Sequence, residues 1–152
     1  MEKRFHLLAR AVVVDNGRVL LVRQKGIGDP FLPGGHIEFG ESAPKSLLRE
    51  IKEELGVEAD VGQFLGAVEH CWTYRGEKNF EVNLCFKATL TDISSEKAPC
   101  SQECHLEFFW QPISELAAAN PMPPPVVELI TNFAAGDPSA WWASTLNDII
   151  KR

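Results

Sequence analysis

The chain has 152 residues, of which 45% are hydrophobic and 24% are charged, and its formal net charge is −6. These values are typical of a globular protein and predict one domain, residues 1–152, with a sizeable core. The negative charge argues against stable nucleic-acid binding, which generally uses a basic surface, but it leaves a nucleotide-like small-molecule substrate open.

The sequence also limits where the protein is expected to act. No stretch approaches the length of a membrane-spanning helix, and the apolar run 11–14 is too short for a secretory signal peptide. Four cysteines in a chain without such a signal are expected to be free thiols. We therefore expect a cytoplasmic protein that does not associate with a membrane.

The first third of the chain is predicted to begin with strands. Residues 5–14 and 19–23 are strand-like, and the Asn-Gly pair at 16–17 between them is a hairpin signal. A glycine-rich loop, 33–35, follows, and its glycines allow the backbone to approach a ligand closely.

A helix is predicted directly after this loop. Ser42 is suited to the N-cap, Pro44 to the first turn and Gly56 to the end of the helix. The apolar residues that are expected to face the core are Leu47, Leu48, Ile51 and Leu55.

The same helix carries three glutamates on one face. Glu50, Glu53 and Glu54 stand at i, i+3 and i+4, which are neighbouring positions on a helix. Their charges repel one another unless a cation is bound, and hard oxygen ligands suit Mg²⁺ or Mn²⁺. We therefore predict that these three residues are metal ligands, with the carbonyl group of Gly34 as a further candidate.

The spacing from Gly35 to Val57 resembles the Nudix box, whose pattern is G-x5-E-x7-R-E-U-x-E-E-x-G-U with U aliphatic. Gly35, Glu41 and the run 49–57 fill every fixed position. The resemblance implies an α/β fold, a Nudix-like α/β/α sandwich with a central mixed β-sheet. It also implies metal-dependent hydrolysis of a nucleoside diphosphate that is linked to another group.

Two residues of this motif are predicted to act by positioning. Arg49 is expected to pair with a neighbouring carboxylate, such as Glu53 four residues later, and Glu41 to hold the loop against the helix. Among catalytic residues we therefore count both with Glu53 and Glu54. The general base stays open among four glutamates, with the first two ranked highest: Glu53, Glu54, Glu103 and Glu107.

Beyond the helix, the pattern predicts more strands and then helices. Strands are expected over 61–74, 80–87 and 105–111, and helices over 113–119 and 126–135. The segment from about residue 121 is interpreted as a C-terminal helical extension of the domain. Its apolar tail is expected to pack on its own domain or on a second subunit in a homodimer, through Trp141, Trp142, Ile149 and Ile150.

The substrate is only weakly encoded. Five aromatic residues are candidates either for stacking on a base or for the core: Phe31, Trp72, Tyr74, Phe109 and Trp110. The place of Tyr74 resembles that of a tyrosine in the diadenosine-polyphosphate branch of the family. The proline of the ADP-ribose enzymes and the SQPWPFP motif of the NADH pyrophosphatases are absent. We expect a nucleoside diphosphate derivative or a nucleoside triphosphate, without assigning the base.

Two other classes of function compete with hydrolysis. One is a non-catalytic Nudix-fold module that binds a nucleotide and acts as a sensor or interaction module. The other is a structural domain whose tryptophan-containing tail is a contact surface. The complete set of acidic residues favours the hydrolase, because a pure binding protein does not need to retain this arrangement.

Overall fold

The computed structural model describes residues 2–137 and 139–146. Its strands are β1 (Lys3–Val12), β2 (Val14–Asp15), β3 (Arg18–Gln24), β4 (Ile27–Phe31), β5 (Gly34–His36), β6 (Ala59–Tyr74), β7 (Glu77–Leu90), β8 (Leu106–Pro112) and β9 (Trp141–Ser144). Its helices are α1 (Ala43–Leu55), α2 (Leu116–Ala119), which follows a 3₁₀ turn, and α3 (Val126–Ala134).

These strands form two sheets. The larger is mixed, in the order β5-β1-β7-β6-β9, with β1 parallel to β7 and antiparallel to β5. The smaller is antiparallel and has β3 paired with β2, β4 and β8. The mixed sheet with helices confirms the predicted α/β fold class.

Two hydrophobic clusters make up the core, one beneath each major helix. Because side chains alternate across a strand, Ala9 and Ala11 of β1 enter the cluster that contains α1, whereas Val12 enters the cluster that contains α3. Leu47, Ile51 and Leu55 of α1 are each at most 5% exposed, and so are Leu129 and Ile130 of α3. The helices therefore cover different faces, as in the predicted sandwich.

Helix α1 begins and ends where its sequence indicates. The hydroxyl oxygen of Ser42 accepts a hydrogen bond from the Lys45 amide, and Pro44 lies in the first turn. Gly56 ends the helix in the left-handed conformation, at φ 70°. One predicted core residue is wrong, because Leu48 is 40% exposed while Ser46 is buried in its place.

The predicted glycine loop is partly a strand. Gly34, Gly35 and His36 form β5, which pairs with β1 opposite Arg10, Ala9 and Leu8. Sequence patterns did not indicate this strand because its three residues lack apolar alternation, and their extended conformation depends on the pairing with β1.

The C-terminal segment combines a helix with a strand. The helical extension expected from about residue 121 is helical over Val126–Ala134, and the chain then returns as β9, parallel to β6. The tail thus packs on its own sheet through Trp141 and Trp142, while Ile149 and Ile150 lie outside the described residues. Within the described ranges, no helix is long and apolar enough to cross a membrane.

Gly66 provides a test of this C-terminal pairing. Its φ is +151°, and a Cβ atom added there would overlap the backbone carbonyl group of Trp141. We expect Gly66→Ala to lower the free energy of unfolding by about 1–3 kcal/mol and to speed hydrogen exchange of the β9 amides. Urea denaturation and exchange mass spectrometry measure the two effects.

Gly62→Ala is the matched control in the same strand, because its added Cβ would have no neighbour closer than 3.9 Å. Equal exchange rates of the β9 amides in the two variants would contradict the pairing of β9 with β6.

Candidate active site

The motif glycine and the first motif glutamate of α1 meet in space. A Cβ atom added to Gly35 would lie 2.6 Å from the carboxyl carbon of Glu50, so any side chain at this position would displace the carboxylate from its place beside β5. The hydroxyl group of Ser46 donates to the His36 carbonyl oxygen at 3.3 Å, which ties the helix to the end of the strand. Strand β5 therefore fixes where the acidic face of α1 lies.

Arg49 binds the carboxylates around it in a fork. Its Nε donates to Glu41 Oε2 at 2.8 Å, and its Nη2 donates to Glu41 Oε1 at 3.0 Å. The Nη1 group donates to Glu50 Oε1 at 2.9 Å, whereas the nearest oxygen of Glu53 is 3.6 Å away. Arg49 also donates to the His36 carbonyl oxygen at 3.1 Å. The ion pair with Glu53 that helix spacing predicted is therefore present, but the shorter contacts of Arg49 are with Glu41 and Glu50.

Glu41 closes the loop that precedes the helix. Its Oε1 accepts the Glu38 amide at 3.1 Å in addition to the Arg49 fork. These hydrogen bonds, led by that with Arg49, lower the pKa of Glu41 from 4.5 to about 2. Glu41 therefore stays charged at neutral pH and holds the loop against α1, as the sequence suggested.

Glu54 is a partly buried carboxylate of the motif. Burial, followed by repulsion from Glu50, raises the pKa of Glu54 from 4.5 to about 8, while the charge of Arg10 acts in the opposite direction. Glu103 adds to the repulsion, so this late acidic residue lies near Glu54. Glu50, Glu54 and Glu103 form what we call the carboxylate cluster. The other late candidate, Glu107, is instead paired with Arg23 at 3.2 Å.

The remaining two predicted metal ligands lie at the margin of this cluster. The side chain of Glu53 is 54% exposed, and its Oε2 lies 3.6 Å from Arg49 Nη1. Gly34 is buried at φ +137° in β5, opposite Arg10. Within residues 2–137 and 139–146, no three Asp, Glu, His or Cys side chains already converge as a metal-binding group. The structure thus gathers Glu50 and Glu54, but not Glu53.

The donor set nevertheless fits a hard divalent cation. Glu50 and Glu54 lie close enough to repel each other within a partly buried site, an arrangement that is unfavourable for two charged carboxylates. Gly35 leaves the space beside Glu50 that a side chain would otherwise fill. All the available donors are oxygens, which Mg²⁺ and Mn²⁺ prefer.

A cleft lies on the larger sheet, on the face opposite to the one that α1 covers. It has a volume of about 310 Å³ and is lined by Arg10, Phe31, His70, Trp72, Glu81 and Met122. Its polar residues project from β1, β6 and β7, and its apolar residues include one from β4. We call this feature the cleft.

Arg10 joins the cleft to the carboxylate cluster. Its guanidinium group donates to Asn83 Oδ1 and to the Leu32 carbonyl oxygen, both at 3.2 Å, and lies 5.3 Å from the centre of the Phe31 ring. Burial lowers the pKa of Arg10, which is offset by the negative charges of Glu81, Glu54 and Glu50. The buried cation Arg10 therefore interacts with the acidic residue of the cleft and with those of the carboxylate cluster.

A hydrogen-bonded histidine pair borders the cleft. The Asn79 amide nitrogen donates to the Glu77 carbonyl oxygen, so its Oδ1 accepts from His6 Nε2 at 2.8 Å. His6 Nδ1 then accepts from His36 Nε2 at 2.9 Å, and the His6 ring stacks on Trp72. Burial and His6 lower the pKa of His36, in keeping with a neutral donor.

The five candidate aromatic residues divide by position. Phe31 and Trp72 line the cleft, whereas Tyr74 is 56% exposed beside the turn at Arg75 and does not line it. Phe109 packs against the α3 cluster and Trp110 against the α1 cluster. Only the first two therefore remain candidates for stacking on a base in the cleft.

Three residues of the cleft were not predicted from the sequence as site residues: Arg10, His70 and Glu81. Each is a polar residue within a strand-like run, and Glu81 alternates with the apolar Phe80 and Val82. This alternation indicates a polar face of a sheet. It does not indicate the order of the strands in that sheet, and the strand order is what brings these three distant residues to one cleft.

Comparisons with known proteins show the family of the chain. A family model described as the NUDIX domain matches residues 5–133. The chain is 34% identical over 61 residues to a CTP pyrophosphohydrolase of Escherichia coli (strain K12), which covers 38% of this chain and 45% of that relative. It is 39% identical over 75 residues to an ADP-ribose pyrophosphatase of Methanocaldococcus jannaschii, with 42% and 43% covered. The chain thus spans less than half the length of these curated relatives.

Solved structures share the fold at lower sequence identity. A MutT protein from Methanosarcina mazei Go1 superimposes with a TM-score of 0.67 at 20% identity, covering 91% of this chain and 99% of that one. A UDP-X diphosphatase gives a TM-score of 0.66 at 22% identity, covering 91% and 66%. These matches extend the structural similarity over nearly the whole described chain.

The Arg49 fork predicts how stability depends on pH. Because the pKa of Glu41 is lowered from 4.5 to about 2, its charged form stabilises the fold above the unfolded-state value, and this contribution is lost as the pH falls towards 2. We expect the difference in free energy of unfolding between wild type and Glu41→Gln to be constant near neutral pH and to shrink below about pH 5. Urea denaturation at several pH values measures it.

Glu58→Gln is the control, because it removes an ion pair with Lys52 in which the glutamate is 77% exposed, and such pairs contribute little. A Glu41→Gln difference of the same size at pH 7 and about pH 3 would show that the charge of Glu41 is not what stabilises the loop.

Proposed function

Because the chain belongs to the Nudix family, we propose that it hydrolyses a pyrophosphate bond in a nucleoside diphosphate derivative or a nucleoside triphosphate, using Mg²⁺ or Mn²⁺. The observation that carries this proposal is the pairing of Glu50 with the partly buried Glu54 beside Gly35. Such an arrangement of carboxylates is unfavourable without a counter-cation and is suited to holding one.

The residues that would hold the metal are Glu50 and Glu54, with Glu53 and the Gly34 carbonyl as further ligands. A divalent ion bound there supplies neutralisation of phosphate oxygens and activation of water. Arg49 keeps the Glu50 carboxylate oriented through its 2.9 Å hydrogen bond, while its fork to Glu41 fixes the guanidinium plane. Arg49 and Glu41 therefore act as positioning residues.

Contacts of the four candidate glutamates bear on which of them accepts a proton from water. Glu54 and Glu103 lie close enough to influence each other, and Glu53 is on the same helix face with an exposed side chain. Glu107 forms an ion pair with Arg23 of β3 at 3.2 Å, which makes it a weaker candidate. We propose that the base is one of the first three, acting directly on water or through the metal site.

The relatives narrow the substrate only to a class. Their printed names include a CTP pyrophosphohydrolase, an ADP-ribose pyrophosphatase and a UDP-X diphosphatase, which differ in base and leaving group. What these names share is a nucleotide with a phosphoanhydride bond. We therefore propose this class for the present chain.

A nucleotide panel tests the proposal directly. We expect phosphate or nucleoside monophosphate release from some members of the panel with Mg²⁺ or Mn²⁺, and none with a chelator. Binding of nucleotides without release under any metal condition would instead support the non-catalytic module. Neither binding nor release would favour a structural domain.

Glu53→Gln should lower the rate by roughly a hundredfold or more. The substitution keeps the size of an exposed side chain but removes an anionic ligand, so the fold should be retained. Steady-state kinetics on the best substrate measure the loss, and circular dichroism checks the fold. Glu58→Gln, five residues further along, is expected to retain wild-type turnover, and near-normal turnover in Glu53→Gln would refute the ligand assignment.

The metal should also stabilise the folded protein. A ligand that binds only the folded state adds about 2.7 kcal/mol at a hundred times its dissociation constant. We expect Mg²⁺ or Mn²⁺ to raise the melting temperature of wild type, and to raise it much less in a Glu50→Gln, Glu54→Gln double variant. Differential scanning fluorimetry at constant ionic strength measures both shifts. Equal shifts would place the metal elsewhere.

A further inference from the structure

The cleft lies next to the carboxylate cluster but differs from it in chemistry. Arg10 lines the cleft and pairs with Gly34 of β5, and the next residue of that strand, Gly35, lies directly beside the Glu50 carboxylate. A substrate whose phosphates reach the carboxylate cluster therefore has the cleft within reach of its remaining part.

The lining of the cleft suits a flat, neutral group. Phe31, Trp72 and Met122 supply apolar surface, and Trp72 is 38% exposed although its ring stacks on His6 at 6.2 Å between centroids. The one cation, Arg10, is opposed by the one carboxylate, Glu81. A phosphate group would be repelled by that carboxylate, whereas a nucleobase would find apolar and aromatic contacts.

Glu81 is held in a fixed orientation at the cleft. Its Oε2 accepts from the Trp72 indole nitrogen at 3.4 Å, and its Oε1 accepts from the Asn83 amide nitrogen at 3.1 Å. Each carboxylate oxygen has two lone pairs, so both can accept a further hydrogen bond. A charged carboxylate cannot donate, and Glu81 therefore favours ligand groups that carry N–H donors.

His70 is oriented by the C-terminal segment. The Thr145 hydroxyl oxygen accepts a hydrogen bond from the Cys71 amide at 3.3 Å and lies 3.1 Å from His70 Nδ1, with which it shares a second hydrogen bond. His70 is thereby held in place on the wall of the cleft that also contains Glu81.

We propose that the cleft binds the base of the substrate, with Trp72 as a stacking surface and Glu81 selecting bases that carry an exocyclic amino group. This inference rests on the proposed function and specifies its substrate. Cytosine, adenine and guanine offer amino hydrogens to Glu81. Uracil and thymine offer a single N3–H between two carbonyl oxygens, and those oxygens would face the carboxylate. The preferred substrates are therefore amino-bearing nucleotides.

Binding of nucleoside monophosphates, without metal, tests base selection apart from hydrolysis. Isothermal titration of wild type with CMP, AMP, GMP and UMP should give at least tenfold tighter binding of one amino-bearing nucleotide than of UMP. Glu81→Gln should reduce this preference to less than about threefold, chiefly by weakening the amino-bearing ligand, because the amide replaces one acceptor oxygen by a donor.

Glu69→Gln is the matched control. Glu69 lies on β6 and also accepts from a tryptophan indole nitrogen, that of Trp142 at 3.4 Å, but it does not line the cleft. It should keep the wild-type preference. Loss of preference in Glu69→Gln as well, or unchanged preference in Glu81→Gln, overturns the assignment of Glu81.

Trp72 variants test stacking. Trp72→Phe keeps an aromatic face and should bind every monophosphate better than Trp72→Ala, by at least fivefold, whereas Trp142→Ala should match wild type. Equal affinity of Trp72→Phe and Trp72→Ala overturns the stacking role.

The two proposals fail differently. If wild type hydrolyses the nucleotide panel but binds UMP as tightly as the other monophosphates, or binds none, the base-selection inference is wrong and the hydrolase proposal stands. If the binding preference is present but no nucleotide is hydrolysed, the hydrolase proposal is wrong and the cleft remains a base site.

Discussion

The hydrogen bonds from Arg49 to Glu41, Glu50 and the His36 carbonyl oxygen are the interactions on which the rest of the site depends. They hold three pieces of chain together: the end of β5, the loop before α1, and the acidic face of the helix. A planar guanidinium group is suited to this because it presents several donors in a fixed fork. The carboxylates are thereby oriented before any ligand binds.

Glycine has a complementary role. Arg49 pulls Glu50 towards β5, and the absence of a side chain at Gly35 leaves space for its carboxylate. The apolar face of α1 packs on the core through Leu47, Ile51 and Leu55, so the helix cannot rotate to relieve the repulsion between Glu50 and Glu54. Core packing and the Arg49 fork thus hold the two carboxyl groups together, so that charging both is unfavourable until a bound cation offsets their repulsion.

Arg10 extends this electrostatic arrangement through the sheet. Its charge acts on the partly buried Glu54 and also on Glu81 in the cleft. One residue in this way interacts with the acidic groups of both the carboxylate cluster and the cleft, and Asn83 and the Leu32 carbonyl oxygen hold it in place. The C-terminal strand contributes as well, since Thr145 beyond β9 orients His70.

The sequence by itself determined α1 and its motif, because cap residues, apolar spacing and acidic spacing are all local features of residues 42–56. It also indicated the long strands β6 and β7, the second of them by the alternation of apolar and polar residues over 80–87. It did not determine β5 or β9, since short strands are stabilised by their partners and carry little pattern of their own. Only the tertiary structure decided that Arg49 binds Glu41 and Glu50 more closely than Glu53, that Glu103 and not Glu107 lies near Glu54, and that Arg10, His70 and Glu81 share a cleft. The reason is that these contacts join residues far apart in sequence, and strand order and register set them.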